Sequence, residues 1–144
     1  MCIIVDTSRM GDFLADPPGD DAAPIRRWLD TGSGSVVYST AGKFADEIRG
    51  HARQRLLRYS QAGKAKFVPE DRFIDDQNTL EGQIRSDDPH VLALARATGV
   101  RLLYTGDADL IADFKDKAFL DKPRGKIYSG AANANLLTRS ACAR

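Results

Sequence analysis

At 144 residues and a formal net charge of +1, the chain has the size of a single domain spanning 1–144, and too little overall charge to hold a polyanion by its net field. Its 42% hydrophobic content supports a core, yet no apolar run approaches the roughly 18 residues of a membrane span and Met1-Cys2-Ile3-Ile4-Val5-Asp6 lacks a basic leader. A soluble, cytoplasmic protein with no membrane partner is expected. The two cysteines, Cys2 and Cys142, stand at opposite ends without metal-ligand spacing, which predicts neither a disulfide framework nor a zinc site and fits a reducing compartment.

Cys2 to Val5 reads as a short apolar strand that stops at Asp6-Thr7-Ser8. A turn-rich loop, Asp16-Pro17-Pro18-Gly19-Asp20-Asp21, precedes a helix from Pro24 to about Asp30 with Ile25, Trp28 and Leu29 on one face. Ser35 to Ser39 reads as the second strand. Strand, helix and strand at this spacing make a βαβ unit, and its right-handed crossover implies a parallel sheet.

A long helix is expected from about Ala41 to Ser60, its core stripe carried by Phe44, Ile48, Ala52, Leu56 and Tyr59. At 100° per residue, Glu47, His51, Gln54 and Arg58 line one flank of that stripe. Lys66-Phe67-Val68 suggests a short strand. Pro69 to Ser86 is polar and turn-rich, with one helical turn expected near Leu80 to Ile84.

The most informative stretch is 87–109. Val91, Leu92, Ala95 and Thr98 recur at helical spacing, Pro89 suits the first helical position, and Asp88 is the expected N-cap. Gly99 ends the helix, Val100 to Tyr104 reads as a buried strand, and Asp107 falls just past its carboxyl end. A helix from about Leu110 to Phe114, a basic loop through Gly125, a strand over Lys126 to Tyr128 and a tail from Ala131 to Arg144 without an assigned role complete the chain.

In an open α/β sheet, ligands sit in the crevice at the carboxyl ends of the strands, where helix N-termini also open. Asp6, Glu47, Asp88 and Asp107 all fall at predicted crevice positions, with Asp109 close behind. Like charges brought together are costly unless a cation neutralises them, and an all-oxygen cluster suits Mg²⁺ or Mn²⁺ rather than zinc. Such an ion activates water and polarises a phosphoryl oxygen, so the chemistry implied is phosphodiester hydrolysis. Bases cluster nearby: Lys43 to Lys66 holds seven against two acids, and Lys115 to Lys126 five against two.

With these residues in view, the chain resembles the PIN-domain ribonucleases, a group that includes the toxins of many toxin-antitoxin pairs. The resemblance runs from Ile3 to about Phe114. It rests on Val5-Asp6-Thr7-Ser8, Asp46-Glu47-Ile48, Asp88-Pro89-His90-Val91-Leu92-Ala93-Leu94-Ala95 and Tyr104-Thr105-Gly106-Asp107-Ala108-Asp109. It implies a three-layer α/β/α sandwich around a parallel sheet and a Mg²⁺ or Mn²⁺ site formed by Asp6, Glu47, Asp88 and Asp107. Asp109 matches a further family acid, and Ser8 and Thr105 match small hydroxyl residues that hold the acids or a metal-bound water. Asp46 and Asp87 adjoin the presumed ligands; the motif selects Glu47 and Asp88. RNA is the implied substrate, with His51, Arg53 and Arg58 on one side of the cleft and Lys115 and Lys117 across it. An antitoxin and a homodimer are the implied protein partners.

Three other readings compete. A PIN fold with a degenerate site would serve as an interaction module and would lack one or two of the four acids. A receiver-type phosphoacceptor domain needs an acidic pair beside the first strand, where only Asp6 stands. A haloacid-dehalogenase-type phosphatase needs Asp-x-Asp there, and Ser8 occupies the second position.

Overall fold

The computed structural model describes residues 2–32, 34–39 and 50–137. Five strands form one all-parallel sheet: β1 (Cys2–Val5), β2 (Ser35–Tyr38), β3 (Ala65–Phe67), β4 (Leu102–Tyr104) and β5 (Lys126–Tyr128), in the spatial order β3-β2-β1-β4-β5. The described helices are α1 (Thr7–Leu14), α2 (Ala23–Thr31), α3 (His51–Gln61), α4 (Ile74–Leu80), α5 (Pro89–Thr98) and α6 (Ala108–Lys115), with short 3-10 segments at Glu70–Arg72 and Ala131–Leu136.

From β1 the chain winds outward through β2 to β3, then returns to the other side of β1 and winds outward again through β4 to β5. Right-handed crossovers running in opposite directions place their helices on opposite faces of the sheet. The core divides accordingly. Ile3, Val5, Val36, Leu102 and Tyr104 pack with α1, α2 and Leu56 of α3. Cys2, Ile4, Val37 and Leu103 pack with Leu80, the apolar side of α5, Leu110 and Phe114. Alternate residues of each central strand thus enter alternate layers, as the two-residue period of a strand requires. The molecule is an α/β/α sandwich.

Several boundaries differ from those read in the sequence. The segment after Asp6 is a two-turn helix, α1, whose buried Met10, Phe13 and Leu14 supply the stripe. α4 covers Ile74–Leu80, where only a turn further along was anticipated, and α6 begins at Ala108 directly after its cap. The helix expected over 41–60 is not continuous: Gly50, at φ +61, stands at the N-cap of α3, outside helical geometry. Residues 40–49, with Glu47 and Asp46, lie outside the described residues. The phase that put Glu47 on one flank with His51 and Arg58 assumed an unbroken helix, and Gly50 removes that basis.

Cys2 is buried and disulfide-bonded, against the expectation of free thiols; Cys142 lies outside the described residues. Among the described residues, no helix is long and apolar enough to cross a membrane.

Candidate functional site

The point where winding reverses, between β1 and β4, is where an open α/β sheet leaves a crevice at its carboxyl edge. Val5 lies opposite Tyr104, so the next residue of each strand emerges beside the other. These are Asp6 and Thr105. The Asp6 N–H donates to the Tyr104 carbonyl at 2.9 Å, continuing the pairing one step past the strand.

Asp6 is 3% exposed, and its carboxylate is held by hydroxyls from both loops. Ser8 Oγ donates to Asp6 Oδ2 at 2.7 Å, and Thr105 Oγ1, 99 positions away in sequence, donates to the same oxygen at 2.8 Å. Both bonds converge on Oδ2, so Oδ1 takes part in neither. Asp6 stands at the N-cap of α1 without capping it through its side chain, which commits the carboxylate to tertiary contacts. The network continues: the Gly106 N–H donates to Ser8 Oγ at 3.3 Å and the Asp107 N–H to Thr105 Oγ1 at 3.1 Å.

Asp107 caps α6, its Oδ1 accepting the N–H groups of Asp109 at 2.9 Å and Leu110 at 3.3 Å. Asp109 is exposed on the first turn of that helix.

Asp88 occupies the N-cap of α5 as expected, but its side chain does not cap the helix. The loop that delivers it is tied down by a residue the sequence reading passed over. Asp113 of α6, 2% exposed, accepts the N–H of Arg85 at 3.0 Å and that of Ser86 at 2.9 Å; Ser86 Oγ in turn accepts the Asp88 N–H at 3.4 Å. The two ends of α6 therefore hold the two acidic loops, Asp107 being its cap and Asp113 anchoring the approach to Asp88. A signal was present, since Asp113 falls with Leu110 and Phe114 on the buried stripe of an amphipathic helix, where a carboxylate needs a reason.

His90, two residues beyond Asp88, is also buried. Desolvation lowers its pKa against the opposing pull of Asp6 and Glu70. A pocket of about 480 Å³ opens beside this loop, lined by Arg85, Ser86, Asp87, Asp88 and His90 among others.

Among the described residues, no three His, Cys, Asp or Glu side chains are grouped closely enough to cage a metal. The donors that are present suit one ion chemistry better than others. They are carboxylate oxygens, one of them pinned through a single oxygen, and Mg²⁺ characteristically binds one or two carboxylates while keeping several waters.

Four of the five expected substrate-contacting bases fall in two pockets with no lining residue in common. His51 and Arg58 join Arg55 and Asp16 around about 590 Å³ between α1 and α3, where Arg55 pairs with Asp16 at 3.5 Å. Arg53 is exposed and lines neither pocket. Lys115 and Lys117 join Arg85 and Arg124 around about 580 Å³ along Ala108, Ile111 and Ala112 of α6. None of these four bases forms an ion pair among the described residues, whereas Arg124 donates to the Lys115 carbonyl and so helps close the helix end.

No protein-family model matches the chain, and no match is found among curated proteins or solved structures.

Proposed function

We propose that the chain is a metal-dependent ribonuclease of PIN-like type, hydrolysing RNA phosphodiester bonds at the carboxyl edge between β1 and β4. The observation that carries the reading is the convergence of Asp6 and the Thr105–Asp107 turn at the sheet's switch point, knitted by the Ser8 and Thr105 hydroxyls. Burying a carboxylate and spending two hydroxyls to orient it serves stability poorly, and serves a site that needs a fixed anionic oxygen well.

In this reading Asp6 and Asp107, whose loops meet at the switch point, would hold Mg²⁺ or Mn²⁺ that keeps several waters, with Asp88 and Glu47 assigned to the same site by their motifs alone. When bound, the ion supplies a Lewis acid for the phosphoryl oxygen and lowers the pKa of the attacking water. Ser8 and Thr105 fix the direction of the Asp6 carboxylate, and Asp113 fixes the loop that presents Asp88. Water adds to phosphorus, a P–O ester bond breaks and the departing oxygen takes up a proton.

The test is cleavage of single-stranded RNA by purified protein, with magnesium or with chelator. Asp6→Asn and Asp88→Asn are expected to lower the rate at least about a hundredfold while denaturation midpoints stay near wild type. A double variant that cuts RNA as fast as wild type, or cutting that ignores the chelator, removes the assignment.

A further inference from the structure

Arg9 sits in the first turn of α1, three residues after Asp6, and its placement breaks several local rules at once. A cation near a helix N-terminus opposes the helix dipole. Its Nε is shielded from solvent and has no hydrogen-bond partner among the described residues. No carboxylate lies within ion-pair distance of it there, although it stands beside an acidic edge. The guanidinium lies over the ring of Tyr104, whose centroid is 5.8 Å from Cζ, and close against the turn at Gly106. A Cβ at Gly106 would fall 2.8 Å from an Arg9 terminal nitrogen and 3.0 Å from Cζ, so the absence of a side chain at 106 is what admits the guanidinium to this turn.

Arg26, on the next helix, shows how the same side chain behaves when it is structural. Its donors reach the Phe13 and Ala15 carbonyls and the Tyr59 hydroxyl. The Arg9 fork instead has its donors uncommitted among the described residues, between the loop that carries Asp6 and the turn that carries Asp107. Local rules are broken without local compensation mainly at functional positions.

We propose that Arg9 is a phosphate-binding residue of the carboxylate site, its guanidinium gripping a non-bridging oxygen of the RNA phosphodiester. The proposal rests on the nuclease reading and adds to it the group that draws an anion onto an acidic edge. A polyanion approaching Asp6 and Asp107 meets like charge, and a cation beside them offsets that repulsion independently of the metal. The planar fork suits phosphate, and Tyr104 supplies a face that fixes the plane of the fork.

The experiment measures binding of a short fluorescein-labelled single-stranded RNA in chelator, by anisotropy, alongside magnesium-dependent cleavage and denaturation midpoints. Arg9→Met keeps the bulk over Tyr104 and discards the charge; it is expected to weaken RNA binding about ten- to a hundredfold without a lower denaturation midpoint, since no hydrogen bond within the fold is lost. Arg9→Lys keeps the charge without the fork and should recover only part of the affinity. Gly106→Ala displaces the guanidinium without removing it, so it should weaken binding in the wild-type background and add little in Arg9→Met, a non-additive cycle that a packing role would not produce. If Arg9→Met binds and cuts RNA like wild type, Arg9 is excluded while the nuclease stands. A lower midpoint with unchanged affinity makes Arg9 a packing residue and overturns the proposal. If wild type neither binds nor cuts RNA, the nuclease reading falls and takes the proposal with it.

Discussion

On one face of the sheet the carboxylate of Asp113 is buried on α6; on the other the guanidinium of Arg26 is buried on α2. Neither forms an ion pair among the described residues. Each instead satisfies the backbone of a loop, Asp113 accepting from the N–H groups of Arg85 and Ser86, Arg26 donating to the carbonyls of Phe13 and Ala15. A charge of either sign can be buried when peptide dipoles of the opposite sense surround it. What differs is where the loops lead. The Asp113 loop delivers Asp88 to the carboxyl edge, whereas the Arg26 loop closes the connection between α1 and α2. The first anchor is tied to the candidate chemistry and the second to stability alone.

Asp113→Ala tests the first half most severely. It leaves two N–H groups without acceptors, one of them fully buried, at about 1–3 kcal/mol each, so unfolding free energy should fall by about 4 kcal/mol. Asp113→Asn retains one acceptor oxygen and should lose less. The informative quantity is cleavage by the Asn variant under conditions where it stays folded. A loss of rate there, with RNA affinity in chelator unchanged, places the damage at Asp88; an unaltered rate would show that this loop needs no anchor for function.

Arg26→Met should cost about 2 kcal/mol and leave cleavage as it was. The smaller figure follows from what is orphaned: carbonyl oxygens rather than N–H donors, with Ala15 exposed enough to take water instead. A second consequence involves Tyr59, whose hydroxyl accepts from Arg26 Nε and donates to Asp30. Burial and Asp30 raise its pKa while Arg26 lowers it, so losing the guanidinium should move the Tyr59 titration further up. Cleavage that fell in step with stability would erase the distinction between the two anchors.

The architecture was legible because parallel strands buried on both faces and amphipathic helices leave strong periodic signals, as in Ile3 to Val5 and Val91 to Thr98. Asp6 and Asp107 were legible for a related reason, since residues just past a buried strand have a predictable place at the sheet edge, whereas Thr105 entered only through the family resemblance. The order of strands was not, because nothing in β1 or β4 announces that they pair; the contact appears only once Val5 is set against Tyr104. The anchors were missed because a charged residue on an apolar stripe signals burial without naming its partners, which for Asp113 are backbone N–H groups 27 and 28 positions away. Arg9 was missed for a similar reason: its significance lies in Gly106, nearly a hundred positions away, having no side chain.

The finest test of the comparison asks whether charge is needed at all, because Tyr128 serves the same α1–α2 connection with a neutral hydroxyl. Tyr128 is fully buried, donates to the Asp21 carbonyl at 2.6 Å and meets Tyr104 edge-on with ring centroids 5.2 Å apart. Burial, reinforced by Tyr104 and Asp21, pushes its pKa from 10.0 up to about 12. A raised pKa means that the folded state favours the protonated phenol. The stability this represents is therefore complete below pH 10 and is lost as pH climbs from 10 through 12. Tyr128→Phe should lose only about 1 kcal/mol at neutral pH, the value of one hydrogen bond. Above pH 10 the two proteins should converge and then cross, because phenylalanine has no proton to lose. Parallel curves through that range would mean that Tyr128 ionises as easily folded as unfolded, and that its hydroxyl does not share the anchoring role of Arg26.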